Sequence, residues 1–83
     1  GYRGNLLLLP ALPSEWKSGH MYGLRAPGGL TVDIDFADGK LKLACLYAEH
    51  DFDHPLRVVY GDHVKYVKIS AGRTYELKAE DFN

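Results

Sequence analysis

The sequence predicts an all-β fold, a small antiparallel β-sandwich of about seven short strands. Three observations carry this prediction. From residue 30 onward, apolar and polar residues alternate with a period of two. Turn signals rich in Gly and Asp recur roughly every 8–12 residues. No stretch sustains the spacing of an amphipathic helix.

The first element is an unbroken run, Leu6-Leu7-Leu8-Leu9. A strand with one wet face alternates, whereas an unbroken apolar run asks for burial on both faces. Pro10 and Pro13 lack an N–H, so the chain after Leu9 should leave any sheet and run extended toward Trp16. The run is therefore expected to lie between this domain and a larger neighbour. Met21 to Ala26 reads as a shorter strand interrupted by Gly23.

Leu30, Val32, Ile34 and Phe36 alternate with Thr31, Asp33 and Asp35, giving one dry and one wet face. Asp38-Gly39 supplies a hairpin turn, because both residue types tolerate positive φ. The partner strand runs from Lys40 to about Glu49. Leu41, Leu43, Cys45 and Tyr47 fall on one face, with Lys42, Ala44, Leu46 and Ala48 on the other. Glu49 to Pro55 is a polar connection. Leu56, Val58 and Tyr60 alternate with Arg57 and Val59 before a turn at Gly61-Asp62. Val67 and Ile69 lead inward on the next strand, and Tyr66 beside Val67 calls for a bulge or an exposed ring. After a turn at Ala71-Gly72, Tyr75 and Leu77 alternate with Glu76 and Lys78, and a polar tail follows.

The expected core is Leu30, Val32, Ile34, Phe36, Leu41, Leu43, Cys45, Val58, Tyr60, Val67, Ile69, Tyr75 and Leu77. Eighty-three residues suit one domain, spanning 1–83. A chain of this size buries only about 60% of its unfolded surface, so its stability should be modest. The net charge of −1 gives no electrostatic case for nucleic acid or an anionic membrane. No apolar run approaches the ~20 residues that cross a bilayer. Cys45 is the single cysteine, so no internal disulfide forms.

Chemistry is sparse. Asp33 and Asp35 share a strand face, but that face should be solvated, and flat wet strands do not raise a carboxyl pKa for acid catalysis. Glu49 to His54 is the one dense group of metal-ligating residues. Zinc could use His50, Asp51, Asp53 and His54, yet their spacing matches no established motif and a polar loop explains the same residues. Tyr2, Trp16, Tyr22, Tyr47, Tyr60, Tyr66 and Tyr75 raise the question of stacking on a sugar; Trp16 and Tyr66 are the candidates, against a plug or domain contact for Trp16 and a lone exposed ring for Tyr66. Tyr60 and Tyr75 fit the inner face. Cys45 reads as a small core residue with no base beside it in sequence. Arg25 either reaches a domain interface or pairs with Asp33 or Asp35 across strands. Gly28-Gly29 lacks the strand–loop–helix setting of a phosphate cradle. No catalytic residue and no cofactor is assigned.

Leu8-Leu9-Pro10-Ala11-Leu12-Pro13, Trp16, Gly23-Leu24-Arg25-Ala26 and Gly28-Gly29 together resemble the C-terminal region of glycoside hydrolase family 95, bacterial and plant α-L-fucosidases. The likeness continues through Val32 to Phe36, Asp38 to Leu41, Val58 to Gly61 and Ala71 to Tyr75, and is weakest over 46–56. It implies a non-catalytic C-terminal accessory domain that braces a helical-barrel catalytic domain upstream in the same parent chain. The reacting groups of such enzymes sit in that barrel, so the resemblance places none here. It further implies inverting hydrolysis of α-linked fucose, a fucosylated glycan reached through the parent, and a periplasmic or extracellular setting if the parent is like bacterial fucosidases. Leu6, Leu7, Leu8, Leu9, Trp16 and Arg25 are the expected domain-interface residues. The alternative reading is a freestanding carbohydrate-binding or protein-interaction module.

Overall fold

A computed structural model describes residues 5–9 and 17–82. Its seven strands are β1 (Asn5–Leu8), β2 (Gly19–Ala26), β3 (Leu30–Ala37), β4 (Lys40–Ala48), β5 (Leu56–Tyr60), β6 (His63–Val67) and β7 (Thr74–Leu77). They form two sheets, one ordered β1-β5-β6 and the other β2-β3-β4-β7. The predicted all-β sandwich is the observed architecture. Every pairing is antiparallel except β1 with β5, which is parallel and joins Leu6 to Arg57 and Leu8 to Val59. The predicted turns at Asp38-Gly39, Gly61-Asp62 and Ala71-Gly72 all form.

The core fills the space between the sheets. Leu30, Val32, Ile34 and Phe36 of β3 face Leu56 and Val58 of β5, with Ile69 and Leu77 completing the buried cluster. Each large aliphatic side chain so buried contributes about 1.5–3 kcal/mol before its ordering entropy is subtracted. Two tyrosines reach the core with polar tips and satisfy backbone donors there. The Leu41 N–H donates to the Tyr60 hydroxyl at 2.9 Å, and the Ser70 N–H donates to that of Tyr75 at 2.8 Å.

The predicted inner face of β4 is half wrong. The hairpin register pairs Phe36 with Leu41 but Asp35 with Leu43, so Lys42 is an extra residue on β4. Such a bulge reverses the alternation beyond it. Leu41 stays inward, but Ala44, Leu46 and Ala48 form the buried face, while Leu43 and Cys45 are half-buried on the outer side and Tyr47 is exposed. Leu43 and Cys45 are therefore not core residues.

Three smaller expectations also change. β2 begins at Gly19, two residues before the predicted start, and absorbs Gly23 through a register shift between Met21 and Leu24. β6 ends at Val67, and Ile69 is buried beyond the strand. The polar tail folds back through a 3-10 turn, Ala79–Asp81, and buries Phe82, whose ring lies 6.2 Å from that of Tyr60. Tyr66 is an exposed ring in a regular ladder opposite Arg57, so no bulge is needed there.

Candidate functional site

The four leucines divide by alternation. Leu9 is buried and Leu7 packs against the core, so both point inward. Leu6 and Leu8 point the other way and remain 39% and 66% exposed. Burial on both sides, as the unbroken run predicted, is not achieved within the described residues, because the second side lies on the outer face of the sheet. The cross-strand register then aligns Leu6 with Arg57 and Tyr66, and Leu8 with Val59 and Val64. Leu6, Leu8, Val59, Val64 and Tyr66 thus share one outer face, with Arg57 as its only charge among these two rows. Polar residues normally occupy such a face on an antiparallel sheet.

Beside this face, the sandwich is open where the edge strands β1 and β2 approach. A half-open cavity of about 310 Å³ lies there, lined by Leu7, Leu8, Leu9, Leu24, Ala26 and Arg25 over Val32 and Ile34. Leu24 lies opposite the inward-facing Val32, yet it remains 37% exposed because this edge is uncovered among the described residues. Leu6 to Leu8 carry no Lys, Pro or bulge, the usual protections of an edge strand.

The outer face of the other sheet is polar. His20 lies opposite Asp35, and Asp33 lies opposite Cys45, which is in turn opposite Glu76. Asp35 Oδ1 contacts His20 Nδ1 and accepts the Tyr22 hydroxyl at 3.0 Å. The Tyr22 hydroxyl is also 3.1 Å from His20 Nδ1, and the two rings stack with centroids 5.4 Å apart. Asp33 Oδ1 accepts the Gly23 N–H at 2.7 Å. The bonds from His20 and Tyr22 hold the Asp35 carboxyl below the usual carboxylate range, and the same carboxylate pushes the Tyr22 hydroxyl up. Partial burial, with Glu76, Asp33 and Asp35 nearby, pushes the Cys45 thiol up as well.

The other sequence candidates are dispersed. Trp16, Tyr2 and the Pro10-Ala11-Leu12-Pro13 stretch lie outside the described residues. Arg25 does not pair with Asp33 or Asp35; its Nη2 lies 3.9 Å from Glu49 Oε2, and both side chains are largely exposed, so the ion pair is worth little. The 49–54 loop is stitched to the turn before β7. Asp51 Oδ1 accepts the Ala71 N–H at 2.7 Å, and the Phe52 N–H donates to the Ile69 carbonyl at 3.2 Å. His50 lies over Gly29, and the Phe52 ring covers Gly28, where a Cβ would come within 3.1 Å of Cζ. His50, Asp51, Asp53 and His54 are brought into no group of three or more metal-ligating side chains among the described residues.

The model of the glycoside hydrolase family 95 C-terminal domain matches residues 2–81, nearly the whole chain. The chain belongs to that family. A curated relative, α-L-fucosidase 2 of Arabidopsis thaliana, is 44% identical over 57 residues, which cover 68% of this chain and 6% of the relative. The chain thus spans a small fraction of the relative's length. For this family 95 domain, sequence reasoning found the leucine run and the Asp33–Asp35 face, counted Tyr22 only among the aromatic residues that raise a sugar-binding question, and missed His20. The alternation, His20 then Tyr22 outward around Met21, was the available signal.

Proposed function

We propose that this chain is a non-catalytic accessory domain of an α-L-fucosidase-like glycoside hydrolase. In this reading, the outer face of the β1-β5-β6 sheet and the adjoining open edge pack against the catalytic part of the same polypeptide. One observation carries it: an outer sheet face built from Leu6, Leu8, Val59, Val64 and Tyr66. Contiguous apolar surface of this kind marks a contact in a water-soluble protein. Burying a leucine side chain there returns about 1.5–3 kcal/mol. The Arabidopsis relative supports the reading, because most of its length lies outside the matched region.

The carboxylates support the non-catalytic assignment. Glycoside hydrolysis needs an acid with a raised pKa facing a second carboxylate across the scissile bond. Asp35 is shifted in the opposite direction and lies beside Asp33 on one strand. Inverting hydrolysis of α-linked fucose, with a carboxylic acid and an activated water, belongs in this reading to the rest of the polypeptide.

The test is Leu8→Glu, made both in this chain and in the full-length fucosidase polypeptide. In the chain alone the exposed site tolerates the change, and the unfolding midpoint moves by less than about 4 °C. In the full-length protein a carboxylate pressed into an apolar contact costs several kcal/mol, which lowers the midpoint and the yield of active enzyme. Equal behaviour in the two settings sinks the proposal.

A further inference from the structure

The outer face of the β2-β3-β4-β7 sheet holds side chains that neither the core nor the proposed contact uses. Tyr22 is 63% exposed, yet its hydroxyl is bonded to Asp35 and its ring is stacked on His20. Holding a ring still costs rotamer entropy, and here no burial offsets that cost. The register shift that places Tyr22 uses Gly23 at φ 70°, and a Cβ on Gly23 would meet nothing within 4 Å. The glycine therefore serves the backbone conformation of the bulge, a device that re-aims side chains.

The polar groups beside the ring are only half used. Asp35 takes both His20 and Tyr22 through Oδ1, and Asp33 takes the Gly23 N–H through Oδ1. Among the described residues, the Oδ2 atom of each accepts no hydrogen bond. The two carboxylates stand two residues apart on β3, roughly 6.5–7 Å along the strand. Lys42, the extra residue of the β4 bulge, lies near enough to act on the charge of Asp35.

We propose that this face binds a pyranose sugar, with its ring on Tyr22 and its vicinal hydroxyls on the free oxygens of Asp33 and Asp35. A pyranose presents a C–H face to an aromatic ring and a girdle of hydroxyls that both donate and accept. The face supplies a held ring, two carboxylate acceptors and Lys42 as a donor, with the outer nitrogen of His20 as a further acceptor while Nδ1 donates to Asp35. A guanidinium or ammonium ligand would also approach the ring and carboxylates but would meet the charge of Lys42. The site lies on the opposite side of the sandwich from the apolar face, so it stands whether or not that face docks.

The experiment is a titration of the isotope-labelled chain with L-fucose, D-galactose and D-mannose, each to about 50 mM, followed by amide chemical shifts. At least one sugar gives saturable shifts at His20 to Gly23 and Asp33 to Asp35, with a Kd of about 1–10 mM. Tyr22→Ala and Asp33→Asn each weaken it by about tenfold or more, one decade being 1.4 kcal/mol. The asparagine still accepts the Gly23 N–H, and Tyr22→Phe, which keeps the ring, retains part of the affinity if the alanine variant fails to fold. Tyr66→Ala, on the other sheet, changes nothing. The proposal is overturned if no sugar gives saturable shifts, if the shifts fall on the β1-β5-β6 sheet, or if an arginine-rich peptide binds this face while the sugars do not.

Discussion

The two sheets meet water in opposite ways. The outer face of β2-β3-β4-β7 is mixed, with aspartates, a histidine, a glutamate and a lysine near one another beside Leu43, Cys45 and Tyr47 of β4. The outer face of β1-β5-β6 carries two leucines, two valines and a tyrosine around one arginine. Both sheets use the same inner chemistry, so stability does not explain the contrast. A difference confined to the outside reports what each side touches. The polar side can stand in water without a cover and keeps acceptors free for a polar ligand, whereas the apolar side is complete only when another surface covers it.

The contrast depends on which side of β4 is outside, and the largest effect tests that. Leu46→Ala should cost about 2–5 kcal/mol in urea unfolding, because Leu46 is fully buried. Leu43→Ala, on the outer side, should cost well under half as much. Reversed costs would return β4 to its unbulged phase and dissolve the description of the polar face. Tyrosines give the next test. Tyr60→Phe strands the Leu41 N–H at the core margin and should cost about 1–3 kcal/mol. Tyr22→Phe removes a hydroxyl from a wet surface and should fall within about 0.5 kcal/mol of the parent. Similar costs for the two would mean that the polar face is structural.

The smallest effect is a pH dependence. The carboxyl of Asp35 is held down in the folded state, first by His20 and then by Tyr22. A depressed folded pKa adds stability above the unfolded value, near ~3.9, and that increment is lost as the pH falls through the lower folded value. Asp35→Asn should remove this part of the acid limb and leave the rest, as read from urea midpoints between about pH 3 and 7. The increment is small because the pair is exposed. An unchanged acid limb in the variant would separate Asp35 from the acid response.

Most of the fold was legible because β3, β5 and β7 keep strict alternation, with turns at Asp38-Gly39 and Gly61-Asp62 ending the first two and one at Ala71-Gly72 preceding the third. The phase of β4 was not, because both of its faces are mostly apolar, and one extra residue at Lys42 decides between them. Local sequence cannot register a bulge whose cause is the partner strand. The burial of Phe82 was hidden for a related reason: it follows a charged tail, and only tertiary contact with the core shows its role. On the candidate surfaces, the leucine run was conspicuous, but its division into Leu7 and Leu9 inward and Leu6 and Leu8 outward depends on pairing with β5. The His20–Tyr22–Asp35 group depends on the β2 register and on Gly23, neither of which follows from composition.

The parallel ladder between β1 and β5 has a consequence for biosynthesis. Within this domain the leucine-rich strand is translated before its hydrogen-bonding partner, which begins about fifty residues later. During elongation the nascent strand has no native mate, and closing so long a loop is slow. The ribosome therefore releases this leucine run well before its β5 partner exists, and quality control of the nascent polypeptide should be most demanding in that interval.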